Sequence, residues 1–598
     1  MTNMELASFI ITNKGQALMA KLMQGTGTCD FTNIRLSSQV YSDAQIPGLT
    51  SLANVKQTAP VTKKTVVNTT SIQIEGAVDN TQLSAGYNIN TIGIYATDPD
   101  EGEILYAAAR AITSGYMPPY NGITVSGGVF KFVVTVGASS QVTLTVDPAG
   151  YASIADIQTL EAEITDLKAY VGMTDDDIFG VEVDFQNKKL TRLGGAVGRN
   201  SGAGFDPLAP WGGRYRCNLT DSGVEVAKYG DPGYSETGAL TQAVTVDEVE
   251  YAVGTKVQTM VKQPKFYYKV VPLKVERIEG GRGYHLRKAR YFISPNPKVG
   301  FKLHPLFKGE KDFVYVAAFE GSLYDTSASA YILDDSQVAD FTASTGDVLC
   351  SIANAKPLSG LTQDATRRKV GQLAENRGNG WYQAFVQAAS ATQMLFLIEY
   401  ASFNMQSNIG NGAVSKTDDG ATNMAEITGA TTNLGNGTGN VQNTNNIQIV
   451  TYRGEENFYG NIWGWVDGMN IYSDGNNADH HAYICDDFAF AESKNNGNYK
   501  EVGFTVCMAS GYVNAFGYDP DFDWLFLPSE VEHGASSGVP VGDYFWQNAS
   551  SSGYRVAALG ARWLNGLRAG GFGWTVDDAP SNRDRGIGGR LAYVPGAA

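Results

Sequence analysis

The stretch from Leu559 to Leu591, LGARWLNGLRAGGFGWTVDDAPSNRDRGIGGRL, decides how the chain is read. Glycine and small residues alternate there with Trp563, Phe572 and Trp574, then with a run of Arg and Asp. Such a glycine content is incompatible with a helix. The aromatic rings are incompatible with a disordered tail, which lacks apolar surface to bury. What remains is short, tight turns that hold side chains out from a rigid base, the layout of a binding surface rather than of a core.

Working outward, 598 residues are too many for one core and predict several domains. A hydrophobic share of 43% against 18% charged residues makes the chain globular. Sixty-eight glycines, with abundant Asn, Ser and Thr, point to many turns and strands. The five cysteines are odd in number and widely spaced, which argues for folding in a reducing cytoplasm rather than for a disulfide framework. Lys14 and Lys21 interrupt the apolar residues of the first segment, so no signal peptide is expected. No run approaches the roughly 20 apolar residues of a membrane span. A net charge of −16 argues against nucleic-acid partners, which select a basic face.

Along the chain, residues 1–150 open with an amphipathic helix carrying Leu6, Phe9, Ile10, Ala17, Leu18 and Leu22. Strand-like runs follow, among them Thr65–Val78 and Lys131–Val136, so a small α+β domain is expected. In 151–177, Ile157, Leu160, Ile164, Leu167 and Val171 are spaced 3, 4, 3, 4, a heptad seam for a coiled coil that joins chains. A seam this short is marginal alone, and packing on its own domain is the alternative. Residues 178–250 read as a β-rich connector. From 251 to the end, aromatic and branched strands dominate. Helices are expected near Asp364–Asn376 and from about Gly380 through WYQAFVQAASATQMLFLIEY, whose broad apolar surface predicts burial on most sides. The stretch Asn433–Asn446 reads as a loop.

Three parts of the chain carry family resemblances. FIITNKGQALMAKLM and GIYATDPDEGEILYA resemble the N-terminal domain of phage tail fibres and tail-collar proteins, which implies attachment to a tail or baseplate. PKFYYKV, GFKLHP, NRGNGW, FLIEYASFNMQSNIG and YRGEENFYGNIWGWVDG resemble the formylglycine-generating-enzyme branch of the C-type-lectin fold. GARWLNG, AGGFGW, DDAPSN and IGGRLAY resemble the variable region of proteins diversified by retroelements, carried on that fold. The fold class implied is multidomain α+β: an attachment domain (1–150), a coiled coil (151–177), a β connector (178–250) and a C-type-lectin-like domain (251–598) with a variable region at about 543–590. The tail-fibre likeness favours a homotrimer.

Catalytic and metal chemistry find little support in the residues. The related enzymes work through a late cysteine pair, and no cysteine follows Cys507 here. Cys485 and Cys507 read as small buried apolar residues. Adjacent His480 and His481 would point to opposite faces of a strand, which disfavours shared zinc. Asp519, Asp521 and Asp523 alternate, but the loop lacks the glycine and later glutamate of a calcium loop and reads as a turn capping backbone amides. Glu455 and Glu456 read as structural. No GxSxG or phosphate-binding motif occurs, and no carboxylate pair stands out. No catalytic residue, cofactor or metal is expected.

From Gly534 onward the chain has no Lys, Glu or Met; its cations are six Arg and its anions four Asp. Arg and aromatic residues dominate binding hot spots because they cover much area with little rotamer loss. The resemblance implies a second cause. In those families, adenines of Asn-type codons are mutated, which reaches Arg, Asp, Leu, Gly, Ser and Tyr but not Lys, Glu, Met, Gln or Trp. The display positions so implied are Tyr544, Asn548, Ser550, Ser551, Ser552, Arg555, Arg562, Leu564, Leu567, Arg568, Gly573, Asp577, Asp578, Arg583, Asp584, Arg585 and Gly586. Trp546, Trp563, Phe572, Pro580 and the IGGRLAY strand would be scaffold, and Arg590 would pair inside the fold. The expected function is a receptor-binding protein of a phage tail fibre. It would be made in the host cytoplasm and sit in the virion, with a host-surface receptor, tail proteins and its own copies as partners. A virion glycan-degrading enzyme and a bacterial adhesin are the alternatives.

Overall fold

The computed structural model describes residues 4–24, 29–68, 71–120, 126–135, 176–343, 345–476, 480–493 and 497–596. They form two compact units, 1–167 and 168–598, each with its own core. The seam residues Ile157, Leu160, Ile164, Leu167 and Val171 lie outside the described residues.

In the first unit the predicted helix forms only over Asn13–Met23; Leu6 and Ile10, expected on it, lie in the short strands Glu5–Leu6 and Ile10–Ile11. Thr12 starts it, its hydroxyl accepting the Gly15 N–H at 3.1 Å and so satisfying one orphan donor of the first turn. Leu18 and Leu22 bury one face against Phe31, Ile34, Ile74, Ile94 and Tyr106. Apart from the 3-10 turn Ile46–Gly48, the other regular elements among the described residues are strands. Gly102–Met117 pairs with Tyr87–Asp98, and that with Asp30–Ser37, in a six-stranded antiparallel sheet. Lys63–Asn68, Ser71–Asp79 and Gly127–Thr135 make a second sheet.

The second unit is built on a fourteen-stranded and a six-stranded sheet, with several smaller ones. Residues 178–250 are no separate connector. Phe179–Asp184 pairs in full register with Tyr284–Ser294, and Tyr215–Leu219 with Gln258–Pro264. Two predicted helices occur, as Arg367–Glu375 and Val386–Tyr400. In the second helix every residue except Tyr400 is buried, because its neighbours are strands Phe179–Asp184, Tyr284–Ser294 and Trp463–Ser473. Its polar side chains tie it in: Ser390 Oγ donates to the Trp524 carbonyl (2.6 Å), Gln393 to Gly571 (2.7 Å), and Glu399 accepts from Arg453 (2.7 Å) and Tyr452 (2.8 Å). The expected loop at 433–446 is partly ordered, with Gly439–Gln442 pairing Gln448–Tyr452.

This corrects the expected fold class. Of the described residues 40% are strand and 11% helix, in four helices, so the molecule is mostly β rather than α+β, and no clear lectin fold is shown. Single helices punctuate sheets here, and periodicity read one segment at a time overweights them.

Candidate functional site

The carboxyl-terminal segment is threaded through the centre of the second unit. Gly553–Leu559 pairs antiparallel with both Trp463–Ser473 and Trp574–Asp578. Ile587–Gly588 runs parallel to Trp463–Gly464, and Leu591–Tyr593 sits between Phe313–Ala317 and Trp381–Gln383. Between these strands the chain makes turns whose backbone needs glycine. Gly560 has φ +97°, and a Cβ there would lie 2.9 Å from the Phe458 carbonyl oxygen. Gly566, at φ +56°, opens the single 3-10 turn Gly566–Arg568 and donates to Val414 at 2.7 Å.

Trp563, Phe572 and Trp574 are fully buried and anchor the turns. The Trp574 indole N–H donates to the Phe526 carbonyl (3.0 Å). Asp543, also buried, accepts the Phe572 N–H at 2.8 Å. Burial without a cation holds its carboxyl far above the usual carboxylate range. It is a buried scaffold group inside the nominal variable region. Arg590 likewise turns inward and donates to the Ala317 (3.1 Å) and Asn457 (3.2 Å) carbonyls.

The seventeen display positions fall into three sets. One set is outward: Leu567 is 67% exposed and Leu564 36%, Arg568 and Ser550–Ser552 are exposed, and Tyr544 and Asn548 are half-buried. Arg568 lies 4.9 Å over the Tyr544 ring. That ring packs 4.6 Å from Trp546 and 5.1 Å from Tyr512, and Trp546 meets Trp463 edge-on at 5.2 Å. A continuous aromatic strip thus supports an exposed leucine–arginine turn. Tyr512, on strand Gly511–Tyr518, belongs to this strip and was missed by sequence reasoning; nothing local marks it, because it is brought in by pairing with Tyr544.

A second set is tied down at the surface. Arg562 pairs with Asp584, Arg583 with Asp364 and Arg585 with Asp418, while Arg585 also donates to the Ala421 carbonyl at 2.6 Å. Asp577 accepts from Thr575, and Asp578 from Asn582. Burial first, then the neighbouring charges of Asp577 and Asp584, push the Asp578 carboxyl up to about 7. Asp364 and Asp418 were not expected at this surface; each comes from a loop far away in sequence.

A third set is internal, correcting the expectation that these residues are displayed. Arg555 is buried, with its guanidinium donating to the Ser551 (2.9 Å) and Tyr554 (3.0 Å) carbonyls, because it lies on the central strand Gly553–Leu559. Gly573 and Gly586 are also buried, and a Cβ on Gly586 would strike the Arg562 side chain.

The other candidate groups are held by neighbouring side chains and backbone. Glu455 pairs with Arg214 and accepts from Thr392, and Glu456 accepts the Gly429 and Thr431 N–H groups. His480 is buried while His481 meets Glu501. Asp523 binds Tyr268 and Lys302. All five cysteines are free and buried, and burial pushes the Cys485 thiol up to about 12 and Cys507 to about 11. Among the described residues no three His, Cys, Asp or Glu side chains converge as metal ligands, and no helix is long and apolar enough to cross a membrane.

Neither a protein-family model nor a curated protein matches the chain. Among solved structures it is similar to the Major Tropism Determinant P3c variant at 12% identity, over 64% of this chain and 71% of that one. The TM-score is 0.20, too low to fix a common fold or to carry a functional inference.

Proposed function

We propose that this chain is a receptor-binding protein of a phage tail fibre, which attaches the virion to a host-surface receptor through its carboxyl-terminal turns. The observation that carries the reading is the outward Leu564–Leu567–Arg568 turn on a fixed aromatic strip. An exposed leucine and an arginine backed by tyrosine have the composition of a hot spot. Fixed turns lose little entropy on contact. Sequence resemblance supplies the tail-fibre context: an attachment domain before the seam, and a segment whose residue types match adenine-directed diversification. On this reading the protein is a binder rather than an enzyme, and it acts on the virion.

The test is competition for adsorption. Purified protein should block infection of the host, and Leu567→Asp with Arg568→Ala should raise the blocking concentration at least tenfold with the melting temperature unchanged. Equal blocking by the double variant would refute the proposed surface. An Asn-rich near-copy of the last codons beside a reverse-transcriptase gene would support the diversification reading independently.

A further inference from the structure

A cleft of about 750 Å³ opens in the second unit between the turn at Leu303–Gly309, the strand end at Ile484–Phe488 and the loop at Asp519–Trp524. It shares no lining residue with the display positions. Its volume falls in the roughly 300–1,000 Å³ range of small-molecule sites. The inner wall is aromatic. Phe522 and Trp524 lie 6.4 Å apart, and Trp524 is 6.1 Å from His304, a buried imidazole that desolvation pushes down to about 3 and so keeps neutral. Phe488 is half-buried with φ +66°. A bulky residue in the left-handed region is a genuine outlier, of the kind that gathers at ligand clamps.

The polar groups offer both donors and acceptors. Lys500 lies 2.6 Å and Lys308 3.7 Å from the Asp486 carboxylate, so each ammonium keeps N–H groups to spare. Asp519 is occupied, accepting the Gly503 (2.6 Å) and Asp521 (2.9 Å) N–H groups. The Asp521 carboxylate accepts no hydrogen bond from the described residues. Gln387 is buried, donates to the Cys485 carbonyl at 2.7 Å, and has a side-chain carbonyl with no hydrogen-bond partner. A bound cation would use only acceptors and a bound anion only donors. A polyhydroxylated ligand uses both, and its C–H face suits an aromatic wall.

We infer that this cleft binds a short saccharide, with its hydroxyls on Asp521, Lys308 and Lys500 and its apolar face against Phe488. The site stands apart from the receptor surface and does not depend on it.

The test is saturation-transfer NMR on the full chain with the methyl glycosides of glucose, galactose and N-acetylglucosamine at millimolar concentration, and choline chloride as a cationic probe. At least one glycoside should show transfer from its ring protons. Asp521→Ala and Lys308→Ala, both exposed changes, should each weaken it about tenfold with unchanged melting, while Leu567→Asp leaves it intact. Silence from all three glycosides, transfer that survives both cleft variants, or capture of choline alone overturns the inference.

Discussion

At the residue scale, the arginines of the last segment are not interchangeable. Arg555 reads as a display residue beside Arg562 and Arg568 because composition alone cannot tell a strand interior from a turn. The strand that carries it is central, so its guanidinium satisfies backbone carbonyls instead of facing solvent. Arg555→Ala should therefore destabilise the protein by about 1–3 kcal/mol, from the two lost guanidinium hydrogen bonds of a buried side chain, read as a lower denaturant midpoint. Arg568→Ala should leave that midpoint in place. Asp578 makes a separate prediction. Its folded-state carboxyl sits near 7, against about 3.9 for an unperturbed Asp. The folded state thus holds a proton that the unfolded chain has released. The associated stability is present at pH 4 and is lost as pH rises to about 7. Asp578→Asn should flatten this dependence, so that the melting temperature falls less between pH 5 and pH 8 than in the parent. An identical fall in both proteins would show that Asp578 ionises freely.

At the scale of elements, what was legible is what packing enforces. The broad apolar surface predicts burial on most sides, and in Val386–Tyr400 every residue but Tyr400 is buried. Trp563 and Phe572, expected in the scaffold, are fully buried. Long-range pairing was illegible: no periodicity announces that Phe179–Asp184 joins Tyr284–Ser294 or that Tyr512 comes to lie beside Tyr544. The ion pairs of Arg583 and Arg585 were hidden for the same reason, since Asp364 and Asp418 lie more than a hundred residues away. The helix end makes a prediction of its own. Ala401 closes Val386–Tyr400 at φ 48°, ψ 45°, a left-handed cap that glycine adopts without a Cβ penalty. Ala401→Gly should raise stability by about 0.5 kcal/mol, seen as a slightly higher denaturant midpoint. A destabilised variant would mean that the lost methyl packing outweighs the relieved backbone.

At the scale of the whole molecule, two units with separate cores imply two unfolding events. Leu18, Phe31, Ile74 and Tyr106 belong to one core and Phe396, Trp465, Phe526 and Trp574 to the others. Calorimetry should resolve two transitions, and the chain 168–598 expressed alone should keep the upper or the lower one unchanged. Function would not be conserved in the same way. If 151–177 joins chains as its heptad spacing suggests, the full protein presents several surfaces at once, and linked sites gain avidity of about 10²–10⁴ over one. The isolated second unit should then sediment as a monomer and block adsorption at a concentration at least a hundredfold higher than the full chain. Equal potency, with both forms monomeric, would remove multivalency from the account and leave a single leucine–arginine turn to supply all of the affinity.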